Sequence, residues 1–167
     1  DLKGVGLIDR VPKIDCVQST SSAAINNTVQ QLRNGDIADI NWSKVRIEEV
    51  KAGTIADSIA VDRPRDGLAA VRAIIESGGE TISIPDEDIL AAIPEMATYS
   101  GVFPEPAAAA PWAAVKQMVS DKMIEADELV VCLVSGSGLK DVGSAQTAAG
   151  QPLVIDPSID AVRNALG

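Results

Sequence analysis

The sequence predicts an α/β domain in which a parallel sheet is flanked by helices. Residues 129–134 form an unbroken apolar run rich in β-branched side chains, and Gly136 and Gly138 follow it. This pattern is typical of a strand that helices cover on both faces. A buried helix is the alternative, but the run is short and glycines break helices. Amphipathic helical stretches also alternate with short strand-like stretches along the chain.

The first half of the chain contains two predicted strands and two predicted helices. Residues 13–18 predict a strand, and residues 23–33 carry apolar side chains at helical spacing before Asn34-Gly35 ends that helix. A second helix begins at Pro64, and Gly78-Gly79 closes it. Residues 80–84 alternate between polar and apolar side chains, as strands do.

The second half is predicted to be mostly helical. Pro85 opens a helix whose first turn contains three acidic residues, which complement the helix dipole. A carboxylate metal cluster is the alternative for these acids. Small apolar residues at 107–123 predict a helix packed closely against the sheet. Residues 142–150 are expected to be irregular, residues 153–155 to form a short edge strand, and a last helix to run through Leu166.

Composition excludes several function classes. The net charge is −10, from 14 basic and 24 acidic side chains, which repels nucleic-acid phosphates. No apolar stretch reaches the roughly 20 residues of a membrane span. There is no histidine, so a transition-metal site and a catalytic triad are disfavoured. Cys16 and Cys132 are expected to be buried free thiols, with a disulfide left open.

The glycine-rich loop at Gly136 does not complete a known nucleotide motif. It begins like a dinucleotide fingerprint, but Asp141 stands where the third glycine belongs. The chain contains neither a P-loop nor a Gly-x-Ser-x-Gly motif. A loop of small residues at 52–62 is expected to pack on the scaffold, where loops often carry function.

Three stretches together resemble one enzyme family. They are residues 54–67, residues 101–109 and residues 131–141, and residues 6–13 add a fourth match. In order and spacing they are similar to the C-terminal part of the threonine synthases, which are pyridoxal-phosphate enzymes of fold type II, the tryptophan-synthase-β type. The resemblance implies that residues 1–167 are the C-terminal part of the large domain of such an enzyme, with pyridoxal 5'-phosphate as cofactor.

The resemblance also assigns cofactor-binding roles. Ser135 matches the hydroxyl residue that hydrogen-bonds the pyridine nitrogen, and Gly136 follows it in the same loop. A neutral hydroxyl does not hold that nitrogen protonated, so the cofactor is a milder electron sink. The loop of Ala56, Asp57 and Ser58 matches the segment beside the cofactor ring. Glu105 matches a glutamate near the active site, although a helix N-terminal acid remains an equal alternative.

Two essential parts of the family have no counterpart in the sequence. The lysine that binds the cofactor as an aldimine and the glycine-rich loop that holds its phosphate are both expected upstream. No catalytic residue is therefore expected in this chain, and Lys140 resembles a family lysine without that role. The chain also begins without Met, so we expect it to be processed or trimmed.

The function implied by the resemblance is that of a lyase of amino-acid biosynthesis. The whole enzyme would convert phosphohomoserine to threonine and phosphate in the cytoplasm. It would act on a small amino-acid substrate as a homodimer, without metal, nucleic acid or membrane. This chain would require the upstream half as its partner and would be inactive alone. The alternatives are a threonine dehydratase, a cysteate synthase or a noncatalytic α/β binding module.

Overall fold

Two short strands form the sheet at the centre of the molecule. The computed structural model describes residues 2–166. Strand β1 (Cys16–Ser19) pairs in parallel with strand β2 (Thr81–Ile84), and Cys16 lies opposite Thr81. Parallel pairing requires a crossover connection, and the first two helices provide it. The predicted parallel sheet is confirmed. Strand β2 lies within its predicted segment, and β1 extends one residue past the predicted end at residue 18.

Helices cover this sheet on both sides, which confirms the predicted fold class. The described residues contain six α-helices: α1 (Ala24–Arg33), α2 (Gly67–Ser77), α3 (Asp86–Ser100), α4 (Pro106–Ser120), α5 (Val142–Ala149) and α6 (Ile159–Leu166). Helix α2 begins three residues after the predicted start, because Pro64 lies in a turn before it. Across residues 2–166, no helix has the length and apolar character that crossing a membrane requires.

One apolar core lies on each side of the sheet. Val29 of α1 packs with Val71 and Ile74 of α2 in the smaller core. The larger core joins Ile82 and Ile84 of β2 to the buried faces of α3 and α4. The alanines of α4 are almost completely buried, and their small side chains allow the helix backbone to approach the sheet closely. The predicted close packing of this helix is therefore confirmed.

The strand predicted at residues 129–134 is wrong for this structure. The run lies outside any helix or strand, and Leu129, Val131 and Leu133 are strongly exposed. Its apolar, β-branched side chains favour pairing, but the described part of the chain places no strand beside it. Cys132 and Cys16 are free thiols, as expected, but each is only partly buried. Burial raises the pKa of Cys16 to about 11.

Two further predictions near the C-terminus are also wrong. Residues 142–150 were expected to be irregular, yet most of them form α5. The Asp141 carboxylate caps this helix by accepting a hydrogen bond from the Ser144 backbone N–H at 3.0 Å. Residues 153–155 form no edge strand and are exposed, because no described strand lies beside them.

The Asp86 carboxylate ties three segments together where β1 and β2 end. It accepts hydrogen bonds from Ser19 Oγ at 2.9 Å, Thr54 Oγ1 at 2.6 Å and the Ile55 backbone N–H at 2.9 Å. Burial alone would raise the pKa of Asp86, but the hydrogen bonds from Thr54, Ile55 and Ser19 together outweigh it and lower the pKa. The network holds the loop at residues 54–55 against the start of α3.

Replacing Asp86 by Asn should destabilise the protein by about 1–2 kcal/mol, since an amide cannot accept from all three donors. Urea denaturation at pH 7 measures the change. Asp88→Asn is the matched control, because Asp88 is exposed and also lies in the first turn of α3. Equal losses in both variants would show that the network contributes nothing beyond helix-dipole charge.

The contribution of Asp86 should also depend on pH. Its pKa is lower in the folded state than the ordinary value of 3.8. Its stabilisation is therefore fully present above that value and is lost as the pH falls through the folded-state pKa. The stability difference between wild type and Asp86→Asn should stay constant from neutral pH to about pH 5 and shrink below about pH 4. A difference that grows on acidification would contradict this.

Candidate functional site

Glu105 is a buried acid at the start of α4. Its backbone C=O accepts from the N–H groups of Ala108 and Ala109, which begins the helix. Its side chain is only 7% exposed, and Lys140 Nζ lies 2.9 Å from Oε2 and 3.2 Å from Oε1. A buried carboxylate is costly unless it is paired, so Lys140 stabilises Glu105 where it lies.

The glycine loop packs directly against this pair. Gly138 donates its N–H to the Phe103 C=O at 2.8 Å, and Gly136 accepts from the Glu105 N–H at 3.1 Å. A Cβ at Gly136 would overlap the Glu105 carboxylate, and one at Gly138 would overlap the Phe103 ring. Both positions therefore require glycine. The two glycines thus make room for the side chains of Glu105 and Phe103.

A cavity of about 170 Å³ lies where these segments meet. Asp57 and Ser58, in a 3-10 turn (Asp57–Ile59), form one side of it. Glu105 and the first turn of α4 form another, and Lys140 and Asp141 a third. Ser58 Oγ lies 3.5 Å from Glu105 Oε1. The cavity thus unites segments that are far apart in sequence.

The structure places three of the six predicted site residues on the wall of this cavity. Asp57, Ser58 and Glu105 line it. Ala56 is fully buried beneath the turn, and Gly136 packs against Glu105. Ser135 is exposed and does not line the cavity, although it directly precedes Gly136.

Sequence reasoning missed the roles of Lys140 and Asp141 in this site. The ion pair between Lys140 and Glu105 spans 35 residues, so no local pattern reveals it. Asp141 did carry a local signal, since an aspartate three residues before Ser144 is typical of a helix cap.

The charges around the cavity are mainly negative. The carboxylates of Asp57, Glu105 and Asp141 face the single ammonium of Lys140. Hydrogen bonds from the Ser144 backbone N–H and hydroxyl lower the pKa of Asp141, which favours its ionised form. Such an arrangement attracts cationic or hydrogen-bond-donating groups and disfavours a phosphate.

The fold and the cavity define a class of protein, an α/β domain with a polar site beside a glycine loop. The family described as "Pyridoxal-phosphate dependent enzyme" matches residues 3–136. The match covers most of the sequence, and the chain belongs to this family. The predicted family and its cofactor, pyridoxal phosphate, are confirmed.

Known relatives match nearly the whole chain, but they are much longer proteins. The chain spans less than two fifths of the length of the two threonine synthases described next. The threonine synthase of Methanosarcina acetivorans is 34% identical over 99% of this chain and 38% of that protein. The threonine synthase of Methanocaldococcus jannaschii is 31% identical over 96% of this chain and 37% of its own length. The processed threonine deaminase isoform 2 of Solanum lycopersicum shares the fold, with a TM-score of 0.62 at 18% identity, over 88% of this chain and 37% of that chain.

The residues present fit one side of a pyridoxal phosphate site. Ser135 is exposed, so its hydroxyl is accessible to a ring nitrogen. The cavity beside it, at about 170 Å³, is smaller than the roughly 300–1,000 Å³ of a complete ligand pocket. The cavity by itself is therefore smaller than such a pocket.

Gly136→Ala should destabilise the loop by about 1–3 kcal/mol, because the added Cβ would push Glu105 away from Lys140. Thermal unfolding of the purified chain measures the loss. Gly53→Ala is the control, because a Cβ there meets nothing within 4 Å, and its effect should be below about 1 kcal/mol. Equal melting temperatures for the two variants would show that the packing of Glu105 on Gly136 is dispensable.

Proposed function

We propose that the chain is the C-terminal segment of a threonine-synthase-like lyase, which converts phosphohomoserine to threonine and phosphate in amino-acid biosynthesis. The observation that carries the proposal is the 34% identity to a threonine synthase over 99% of this chain. The gathering of Asp57, Ser58 and Glu105 around one cavity next to the Ser135 loop supports it. The proposed enzyme is a cytoplasmic homodimer.

Each site residue has a distinct task in this proposal. Bound pyridoxal phosphate would supply an electron sink for charge that develops on the substrate. Ser135 would hold the ring nitrogen through a neutral hydrogen bond, which orients the ring without protonating it. Asp57 and Ser58 would form the wall beside the ring, and Glu105 would keep the Gly136 loop in place.

The lysine and the phosphate loop of the enzyme are proposed to lie in an upstream segment. Three of the seven lysines form ion pairs: Lys140 with Glu105 at 2.9 Å, Lys116 with Glu95 at 2.6 Å and Lys13 with Glu128 at 3.7 Å. A lysine held as an ion-paired ammonium is a poor nucleophile. The chain alone is therefore proposed to be inactive and to require that segment as its partner.

Absorption spectra with added pyridoxal phosphate test whether the cofactor-binding lysine lies in the upstream segment. The chain alone should show no band of lysine-bound cofactor. A chimaera in which residues 3–166 replace the matched part of the Methanosarcina acetivorans threonine synthase should show the band and release phosphate from phosphohomoserine. A band from the isolated chain that disappears in Lys140→Met would contradict the proposal.

The role of Ser135 is tested in the same chimaera. Ser135→Ala should weaken cofactor binding about 2- to 12-fold, because the hydrogen bond to the ring nitrogen is lost, and Ser135→Thr should preserve binding. Fluorescence titration of the cofactor measures both variants. Equal cofactor affinities of Ser135→Ala and the unchanged chimaera would show that Ser135 does not bind the cofactor. Turnover of threonine without phosphohomoserine activity would favour a dehydratase, and formation of a sulfonated amino acid would favour a cysteate synthase. The absence of cofactor binding would favour a noncatalytic module.

A further inference from the structure

The loop at residues 50–62 is closed at its base by Asp62. The Asp62 C=O accepts a hydrogen bond from the Val50 N–H at 3.0 Å, and the Asp62 carboxylate accepts one from the Ala52 N–H at 2.8 Å. The two ends of the loop therefore lie side by side, and the 3-10 turn (Asp57–Ile59) that lines the cavity lies between them. A loop of this kind contains no strand or α-helix of its own, so other contacts must fix its middle.

The first of these contacts lies before the turn. Thr54 Oγ1 donates to the Asp86 carboxylate at 2.6 Å and accepts from the Ala56 N–H at 3.1 Å. The Ile55 N–H donates to the other oxygen of the same carboxylate at 2.9 Å. Ala56 is fully buried. The chain therefore enters the turn along a fixed path.

The second contact lies at the end of the turn and is made by the hydroxyl of Ser22. This hydroxyl donates to the Ile59 C=O at 3.0 Å and accepts from the Val61 N–H at 3.2 Å. Ser22 is 0% exposed and lies three residues after the end of β1. Because Ser22 is shielded from water, its hydrogen bonds hold the exit of the turn against the end of the sheet.

We infer that Ser22 and Thr54 are positioning residues that fix the wall of the cavity formed by Asp57 and Ser58. Neither Ser22 nor Thr54 lines the cavity, so both act through the backbone on the two sides of the turn. Movement of the turn would also carry Ser58 away from Glu105, whose Oε1 lies 3.5 Å from the Ser58 hydroxyl. The inference rests on the proposed function only where it concerns the cofactor.

Loss of either contact would weaken cofactor binding, although neither residue touches the cofactor. A turn that has lost one contact samples several positions. Only the fraction of molecules with the turn in the right position binds, and the affinity falls by that fraction.

Hydrogen exchange of the purified chain tests the inference. Ser22→Ala should speed the exchange of the Ile59 and Ala60 amides at least about fivefold, the combined contribution of two weak hydrogen bonds. These two amides donate within the turn, to the C=O groups of Ala56 and Asp57. Faster exchange therefore reports movement of the turn and not only the lost partner. Unchanged exchange at both amides would overturn the inference.

Thr28→Val is the matched control. Thr28 also carries a buried hydroxyl with two bonds, because it donates to the Ala24 C=O at 2.8 Å and accepts from the Glu48 N–H at 2.9 Å. Its loss should speed exchange of the Glu48 amide and leave the Ile59 and Ala60 amides unchanged. Equal acceleration at Ile59 and Ala60 in both variants would reveal general destabilisation and would also overturn the inference.

Cofactor affinity in the chimaera described above provides the second readout. In a fluorescence titration with pyridoxal phosphate, Ser22→Ala and Thr54→Val should each weaken the affinity at least about fivefold, and Thr28→Val should change it less than about twofold. Thr54→Ser keeps the hydroxyl and should preserve the affinity. Equal affinities in Ser22→Ala and Thr28→Val would contradict positioning, as would equal losses in Thr54→Ser and Thr54→Val. If Ser22→Ala does not fold, the two Thr54 variants decide, because Thr54 is only partly buried.

The outcomes separate positioning from function. Faster exchange in the turn of Ser22→Ala, together with a chimaera that binds no pyridoxal phosphate, would support the fixed wall and refute the proposed function. Cofactor binding by the chimaera that stays unchanged in Ser22→Ala and Thr54→Val would support the proposed function and overturn the inference.

Discussion

The burial of the Glu105 carboxylate is the constraint on which the candidate site depends. A charge almost removed from water needs a partner of opposite sign, and Lys140 Nζ at 2.9 Å is that partner. The pairing draws the loop after Val134 onto the start of α4, where two glycines leave room for Glu105 and Phe103. The position of Ser135 follows from this packing, because it is the residue directly before Gly136.

Residue periodicity predicted the elements that bury a stripe of large apolar side chains. Helices α1 and α3 and both strands lie within a residue or two of where their patterns placed them. Helix α5 was missed because its residues are small and form no such stripe. Its signal was a polar one, the hydrogen bond from Ser144 to Asp141, and capping residues are easily read as loop residues.

The run at residues 129–134 shows a different limit of sequence reasoning. Hydrophobicity indicates that a segment is to be covered, but it does not identify what covers it. The pattern predicted a strand inside a sheet, whereas the structure leaves Leu129, Val131 and Leu133 in solvent. The site residues, by contrast, followed from the resemblance. Asp57, Ser58 and Glu105 do lie together, while the ion pair to Lys140 depends on the tertiary fold and had no sequence signature.

The parallel pairing of β1 with β2 has a consequence for how the chain folds. Cys16 lies opposite Thr81, so the two strands meet only after a long intervening segment has been ordered. Closing a loop of that size costs about 3–4 kcal/mol of chain entropy, and the contacts between the strands can offset this cost only after the loop has closed. Local helices form in microseconds, and long-range strand contacts slow folding. During synthesis, β1 therefore leaves the ribosome well before its pairing strand exists, and α1 and α2 are the elements able to form in the interval.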